Sequence, residues 1–466
     1  MKIQSIKLKH TYHFNDLMLD FDAENKAVTL ILGDQGTGKT AILKNLYQAL
    51  TWFPARFKDL RTAGVVMLDQ DIQHATSQSK IEVQVRFPAE IGRMPESSDA
   101  QEKDVHVSTW SLYKTINPQG IGLSKVETAE LEQMIGLYQQ AIKEDPLQGI
   151  PMIAYYPSDR FINEINLLSK NNPGVLQVHA AFELASIPFT TYARFFEWFR
   201  EISDIENAQT AQLFQHIISD EQLFDQEDDL DFHSTLLQAH AQLHAPSLRA
   251  LKSVLNSVFP ELTDIYLEYH PKLQLMVNYQ GQDILYQQLP NTLKSWVALV
   301  GDVVRRLCLL NPLSLYPCLE GEGVLIIDQI DAQLDQNTAE IILERLHEAF
   351  PQVQIIASGN QEALLQYAEH YHCIRLENQH AYPFSTQDQY NQYQAIYSSF
   401  LQDTLQQHPD EQKLNADSEQ ALLENKATVS PDELFEQFQK MQPEQQDKLR
   451  QMLQSGDDAT SHQHLT

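Results

Sequence analysis

The sequence predicts an α/β fold: one sheet assembled from two sequence-distant halves, a largely helical insertion between them, and a helical C-terminal tail. Three observations predict it. Strand-to-helix alternation recurs at both ends of the chain. The apolar run Val28–Leu32 passes through a glycine-rich turn into a segment with helical spacing. A second apolar run, beginning at Gly323, ends on Asp328 and is again followed by a helical pattern. The expected ranges are a first half over 1–90, the insertion over 91–264, a second half over 265–378 and a polar, acidic tail over 379–466.

Lys2 to Leu8 alternates apolar and polar residues, as a half-buried strand does, and 81–87 does the same. Val28–Leu32 is a short run apolar but for Thr29, which fits a buried strand. Ala41–Leu50 has helical spacing. Residues 92–108 are polar and expected as a loop, 124–144 as a helix, and 151–157 as a short strand. Tyr192 to Ile202 reads as an aromatic-rich amphipathic helix. Residues 201–248 hold ten acids and no lysine or arginine, the mark of a solvated helical surface or loop. Strands are expected at Ile265–Tyr269 and Leu273–Tyr279, with Gly281 at the turn. A helix follows from Thr292 to about Leu310, another over Asn337–Phe350, and strands over Val353–Ala357 and Ile374–Leu376. The tail carries 14 acids and 5 bases. Behind a polar linker at 405–429, Ser430-Pro431-Asp432-Glu433 is a helix-start signature, and apolar stripes behind it predict a helical hairpin over 430–454.

The charge balance is 33 basic against 63 acidic residues, net −30. That argues against a broadly basic surface coating nucleic acid and leaves room for a local basic groove. No apolar run approaches the roughly 18 residues of a membrane span, and the first residues lack the apolar core of a secretion signal. Cys308, Cys318 and Cys373 make neither a disulfide framework nor a metal knuckle. The expected setting is the reducing cytoplasm, away from membranes.

Gly33-Asp34-Gln35-Gly36-Thr37-Gly38-Lys39-Thr40 fits the pattern G-x-x-x-x-G-K-[ST] and leads into a helix at Ala41. In that pattern the glycines turn backbone N–H groups inward around phosphates. The lysine reaches the β- and γ-phosphates, and the hydroxyl ligates Mg²⁺. ATP and Mg²⁺ are therefore the expected cofactors, with Gly33 through Ala41 as binding residues. A chance glycine turn is the bland alternative, and it fits poorly in a chain with only 16 glycines. The loop needs a second strand ending in a carboxylate, and Val324–Asp328 supplies it. Thr40 and Asp328 are the expected metal residues. Their separation is too long for a small GTPase and fits an ATPase head split by a large insertion.

With these motifs the chain resembles the RecF/SMC-related, ABC-type AAA ATPases of bacteria, and among them the Septu- and retron-associated anti-phage ATPases. The opening MKIQSIKLKHTYHFNDLMLDF, the phosphate loop and ALTWFPARF carry the likeness. So do PMIAYYPSDR at 151–160, ARFFEWFREISDIEN at 193–207, ALVGDVVRRLCLLNP at 298–312 and LEGEGVLIIDQIDAQLD at 319–335. The resemblance covers about residues 1–378. It implies a P-loop NTPase head, a homo-oligomer, and a nuclease or other effector as partner.

The departures from the family pattern bear on hydrolysis. The family reads Asp-Glu at the strand end, where this chain has Asp328-Gln329. Gln329 occupies the base position, and an amide does not accept a proton as a carboxylate does. The family signature resembles LS-x-G-E-K; here it reads Leu289-Pro290-Asn291-Thr292-Leu293-Lys294, where Asn291 or Thr292 is expected to cap a helix. A switch histidine is replaced by Gly359 in Ala357-Ser358-Gly359-Asn360. Asp335 has the spacing of a dimer-interface aspartate, and Asp331 matches a family acid; either also fits an ordinary surface carboxylate. Gln70 and Gln73 are both candidates for a metal-sensing glutamine. Arg160 matches the family's YP-x-x-R pattern and is expected to form a structural salt bridge, and Arg305 and Arg306 are read as structural. His240 and His244 lack the glutamate of a zinc motif. The favoured function is ATP–Mg binding that sets conformation or assembly with an effector, with weak or absent hydrolysis. An active ATPase working on DNA and a structural subunit that no longer uses nucleotide are the alternatives.

Overall fold

The alternating segment at the start pairs as a strand and runs longer than its pattern. β1 (Lys2–Thr11) forms a hairpin with β2 (Phe14–Asp20) and pairs on its other edge with β4 (Gln78–Arg86). β5 (Val107–Ile116) and β6 (Gly122–Glu127) complete a five-stranded antiparallel sheet of order β2-β1-β4-β5-β6. One face buries Ile6, Leu8, Ile81, Val83, Trp110 and Leu112. In the computed structural model residues 1–95, 104–160, 176–182, 188–219, 246–332 and 334–384 are described. The linker at 405–429, the hairpin at 430–454, and His240 and His244 lie outside them.

Two expectations are corrected here. Val107 and Ser108 belong to β5 rather than to a polar loop, and the helix expected over 124–144 starts only at Ala129 (α3, Ala129–Glu144). β6 is an edge strand with mostly exposed side chains, so no apolar alternation announces it. In β5, Ser108, Ser111 and Lys114 are buried, which blurs its period of two.

The second sheet has six strands in the order β14-β13-β3-β12-β11-β7. They are β3 (Val28–Leu32), β7 (Met152–Tyr156), β11 (Gly323–Ile327), β12 (Val353–Ser358), β13 (His372–Glu377) and β14 (His380–Pro383). All neighbours are parallel except β13 and β14. β7, from the range expected as a largely helical insertion, is thus a strand of the central sheet. α1 (Lys39–Leu50) touches strands of both sheets, and α3 packs on β5 of the first. Ile42, Leu43, Leu46 and Tyr138 join Ile31, Ile153, Val324, Ile326 and Ile356 in one apolar core.

Tyr155 joins that core, and Tyr156 points to the opposite face, as strand alternation requires. There it meets α6 (Asn291–Leu310), which is buried over most of its length beside α4 (Pro188–Ser219) and α5 (Pro246–Val258). The Tyr156 hydroxyl donates to Asp302 Oδ2 at 2.7 Å, and Arg305 Nε and Arg306 Nε donate to the same carboxylate at 2.9 and 2.8 Å. All three charged side chains are fully buried, so the arginines are structural. A smaller antiparallel sheet of order β10-β9-β8 is formed by β8 (Leu262–Glu268), β9 (Gln274–Tyr279) and β10 (Gln282–Leu285), with Gly281 at φ +77° in the turn.

A glutamine joins the two large sheets. Ile3 N donates to Gln354 Oε1 at 2.6 Å, and Gln354 Nε2 donates to Ile3 O at 3.1 Å, with Gln354 fully buried on β12. The side-chain amide completes the pairing of a backbone residue that sits beside a register shift in β1. Gln354→Ala leaves Ile3 N–H and C=O buried without these partners. We expect a loss of about 1–3 kcal/mol, seen as a lower denaturation midpoint; an unchanged midpoint would show that the amide bridge is dispensable.

Candidate functional site

β3 ends at Leu32, and the glycine loop carries the chain from its C-terminal edge into α1. Gly33, Gly36 and Gly38 have φ of +150°, +83° and +100°. At Gly38 the requirement is also steric: a Cβ there would lie 2.4 Å from His13 Nε2 and 2.5 Å from Phe14 Cζ. The β1–β2 turn thus rests against the loop, and His13 Nε2 lies 3.1 Å from Thr37 O. Thr37 Oγ1 donates to Asp34 O at 2.9 Å. Asp34, Gln35 and Gly36 are exposed at the rim, Ala41 is half-buried in the first turn of α1, and Lys39 is buried.

Lys39 folds back into the loop, where Nζ donates to Gly33 O and, at 2.9 Å, to Asp34 O. Burial lowers its pKa, opposed by the carboxylates of Asp328, Asp34 and Asp331. The ammonium is held by neutral carbonyls that phosphate oxygens can replace.

The two motifs meet at one hydrogen bond. Thr40 Oγ1 donates to Asp328 Oδ2 at 2.8 Å, across 288 residues of sequence. Asp328 is fully buried, and its other oxygen accepts from Ser358 Oγ on β12 at 2.6 Å. Ser358 Oγ also accepts from Gln329 N at 2.9 Å. Gln329 has φ +46°, a left-handed conformation that costs a non-glycine residue about 1–3 kcal/mol. A hydroxyl and a carboxylate in contact are hard oxygen donors of the kind Mg²⁺ takes. Among the described residues no group of three or more His, Cys, Asp or Glu side chains is placed to hold a metal. A magnesium ion here would complete its shell with water and phosphate oxygens, as that ion usually does.

The remaining candidates separate. Gln73 bonds the ends of the β1–β2 hairpin: its Oε1 lies 3.3 Å from His10 Nδ1, and its Nε2 donates to Asn15 Oδ1 at 2.7 Å. Gln70 is exposed in a short 3-10 turn. Asp331 is 4% exposed, and its Oδ2 accepts from Asn360 N at 2.8 Å and Gln361 N at 2.7 Å, so it anchors the loop after β12. Asp335 caps α8 (Gln336–Ala349), accepting from Thr338 N at 3.0 Å. Gly359 N donates to Ile31 O at 3.1 Å, and a Cβ at 359 would fall 2.1 Å from Leu364 Cδ1.

At the signature position the expected cap is absent. Pro290 is the N-cap of α6, without a side-chain cap bond, and Lys294 N donates to Pro290 O at 3.0 Å. Asn291 is already in the first turn, because the backbone at proline enters the helix there. Arg160 also departs from expectation. Its guanidinium donates to the main-chain carbonyls of Asp328 and Gln329, both at 2.6 Å, and among the described residues it pairs with no carboxylate. Ser358 was not legible as a site residue, since one serine at a strand end carries no motif.

Residues 5–263 match the family model described as an AAA domain. The chain is 23% identical over 395 residues to the retron Ec83 probable ATPase of Escherichia coli, covering 77% of this chain and 68% of that protein. It is 25% identical over 389 residues to the retron Vc95 probable ATPase of Vibrio cholerae serotype O1 biovar El Tor, covering 78% and 71%. A solved Smc head bound to the C-winged helix domain of ScpA aligns at TM-score 0.43 and 12% identity, over 84% of this chain and 100% of that one.

Proposed function

The chain belongs to the AAA domain family, and from that premise we propose that it binds ATP with Mg²⁺ and uses the bound nucleotide to set its conformation or assembly, hydrolysing it weakly or not at all. The observation that carries the reading is the 2.8 Å bond from Thr40 to Asp328, which joins the glycine loop to the acidic strand end. Gly33 through Thr40 present the backbone donors, Lys39 supplies the charge, and Thr40 with Asp328 would hold the metal. Bound there, Mg²⁺ would neutralise phosphate charge.

The weak-hydrolysis part rests on what surrounds that pair. Gln329 offers an amide where a base is needed. Asp331, the neighbouring carboxylate, is committed to two backbone N–H groups. Likeness to the retron ATPases supports a setting in anti-phage defence, with a nuclease or other effector as partner. Among the described residues no helix is long and apolar enough to cross a membrane.

Titration with a nonhydrolysable ATP analogue, beside steady-state turnover, tests the proposal. Binding with turnover far below about 1 s⁻¹ is the expected result. Turnover of several per second favours the active ATPase, and no binding favours the structural subunit. The chain is also expected to assemble as a homo-oligomer without ATP, since the signature serine and glycine are absent from 289–294. Sedimentation showing a monomer that dimerises only with ATP would contradict this.

A further inference from the structure

We infer that Arg160 is a positioning residue for the Asp328 carboxylate, clamping the turn after β11 so that Asp328 stays in register with Thr40. The inference rests on the nucleotide-binding reading above. β7 and β11 pair in register to their ends, Tyr156 against Ile327, and Asp328 N donates to Tyr156 O at 2.9 Å. The two strands therefore leave the sheet side by side, and Arg160 reaches across from one to the other. Its Nη1 and Nη2 donate to Asp328 O and Gln329 O, each at 2.6 Å.

The clamp acts on a strained residue. Gln329 has φ +46°, and both of its backbone polar groups are engaged: C=O with Arg160 and N–H with Ser358. Ser358 in turn donates to Asp328 Oδ1. Arg160, the turn and Ser358 thus fix the carboxylate from behind, while Thr40 meets it from the front. Arg160 is 7% exposed, and its guanidinium lies 5.6 Å from the ring centroid of Trp296, two residues past the signature position on α6. A planar fork on two successive carbonyls is a geometry that a lysine does not reproduce.

Without the fork, Gln329 relaxes from the left-handed region and Asp328 loses its register with Thr40. The glycine loop and Lys39 are untouched. The part of nucleotide affinity that depends on Mg²⁺ should fall, and the part that does not should stay.

The test titrates a nonhydrolysable ATP analogue into the full-length chain, once with Mg²⁺ and once with EDTA, while circular dichroism checks folding. Arg160→Ala should lose at least about tenfold of the gain that Mg²⁺ gives wild type, with affinity in EDTA unchanged. Adding Gln329→Gly should recover part of that gain, because glycine adopts positive φ without strain. Should the alanine variant not fold, Arg160→Lys replaces it; it reaches one carbonyl and should lose at least about threefold. A full wild-type gain in the folded variant, or an equal loss with and without Mg²⁺, overturns the assignment. Identical titrations for wild type and Lys39→Ala would instead reject the nucleotide-binding reading itself.

Discussion

Lys39→Ala weakens binding of a nonhydrolysable ATP analogue by about 10²-fold or more. Lys39 is 6% exposed, with its ammonium inside the loop on Gly33 O and Asp34 O. Nucleotide would exchange those carbonyls for β- and γ-phosphate oxygens. Each charge-assisted bond contributes about 1.5–3 kcal/mol, so losing two weakens binding at least that far. The variant should stay folded, since alanine at the first residue of α1 keeps the helix and the lost side chain bonds only two loop carbonyls. Calorimetry reads the affinity directly, and thermal unfolding provides a second measure. At ligand about 100-fold above the dissociation constant, wild type gains about 2.7 kcal/mol. At the same concentration the weakened variant gains about 0.4 kcal/mol. Equal thermal shifts would remove the basis for a nucleotide site.

Steady-state hydrolysis by wild type falls far below the roughly 1–10³ s⁻¹ common for enzymes. Losing a positioned general base costs about 10²–10⁴-fold in rate, and in the proposed reading Gln329 takes the base position. Phosphoryl transfer also depends on donors that position the phosphate and stabilise its charge. By the resemblance drawn from the sequence, 289–294 lacks the signature serine and glycine, and Gly359 takes the place of the switch histidine. Gln329→Glu alone should therefore raise turnover little, within a few-fold of wild type. Asp331 is no substitute, because releasing it would free Asn360 N and Gln361 N from their shared acceptor. Wild-type turnover of several per second, abolished by Lys39→Ala, would show that other groups hydrolyse ATP here.

The parts of this site that could be read from sequence are those whose physics is local. Val28–Leu32, apolar but for Thr29, and Val324–Ile327 are short apolar runs that fit strands covered on both faces, and the spacing of glycines and lysine in 33–40 leaves few alternatives. What closes the site is long-range. Nothing near Arg160 in sequence announces two carbonyls at 328 and 329, and a salt bridge was the natural expectation for an isolated arginine. Ser358 looks like any strand-end serine until Asp328 and Gln329 are seen beside it. Asp335 illustrates the opposite problem: the spacing that suggested an interface aspartate is also that of a helix cap, and within the chain it serves as the cap. In the five-stranded sheet, β1 and β4 were legible from their alternation and β5 and β6 were not, for a different reason. Its strands β5 and β6 carry buried polar residues or lie at an exposed edge, so no clean alternation marks them.

The placement of β3 between β12 and β13 has a consequence for synthesis on the ribosome. Its pairing partners in the sheet are those two strands alone, and both are encoded roughly 320 or more residues downstream. At about 5–20 residues per second, β3 waits on the order of 16–64 s before β12 is even polymerised. During that interval Val28–Leu32 is an apolar segment with unpaired edges, and the glycine loop behind it has no acidic strand end to meet. The nascent chain therefore emerges with one apolar strand early and its shield late, a condition under which chaperone capture competes with misfolding. In the proposed reading, the Mg²⁺-dependent part of nucleotide binding waits for most of the chain to be made, because Asp328 and Ser358 arrive only with the strands that also close the sheet.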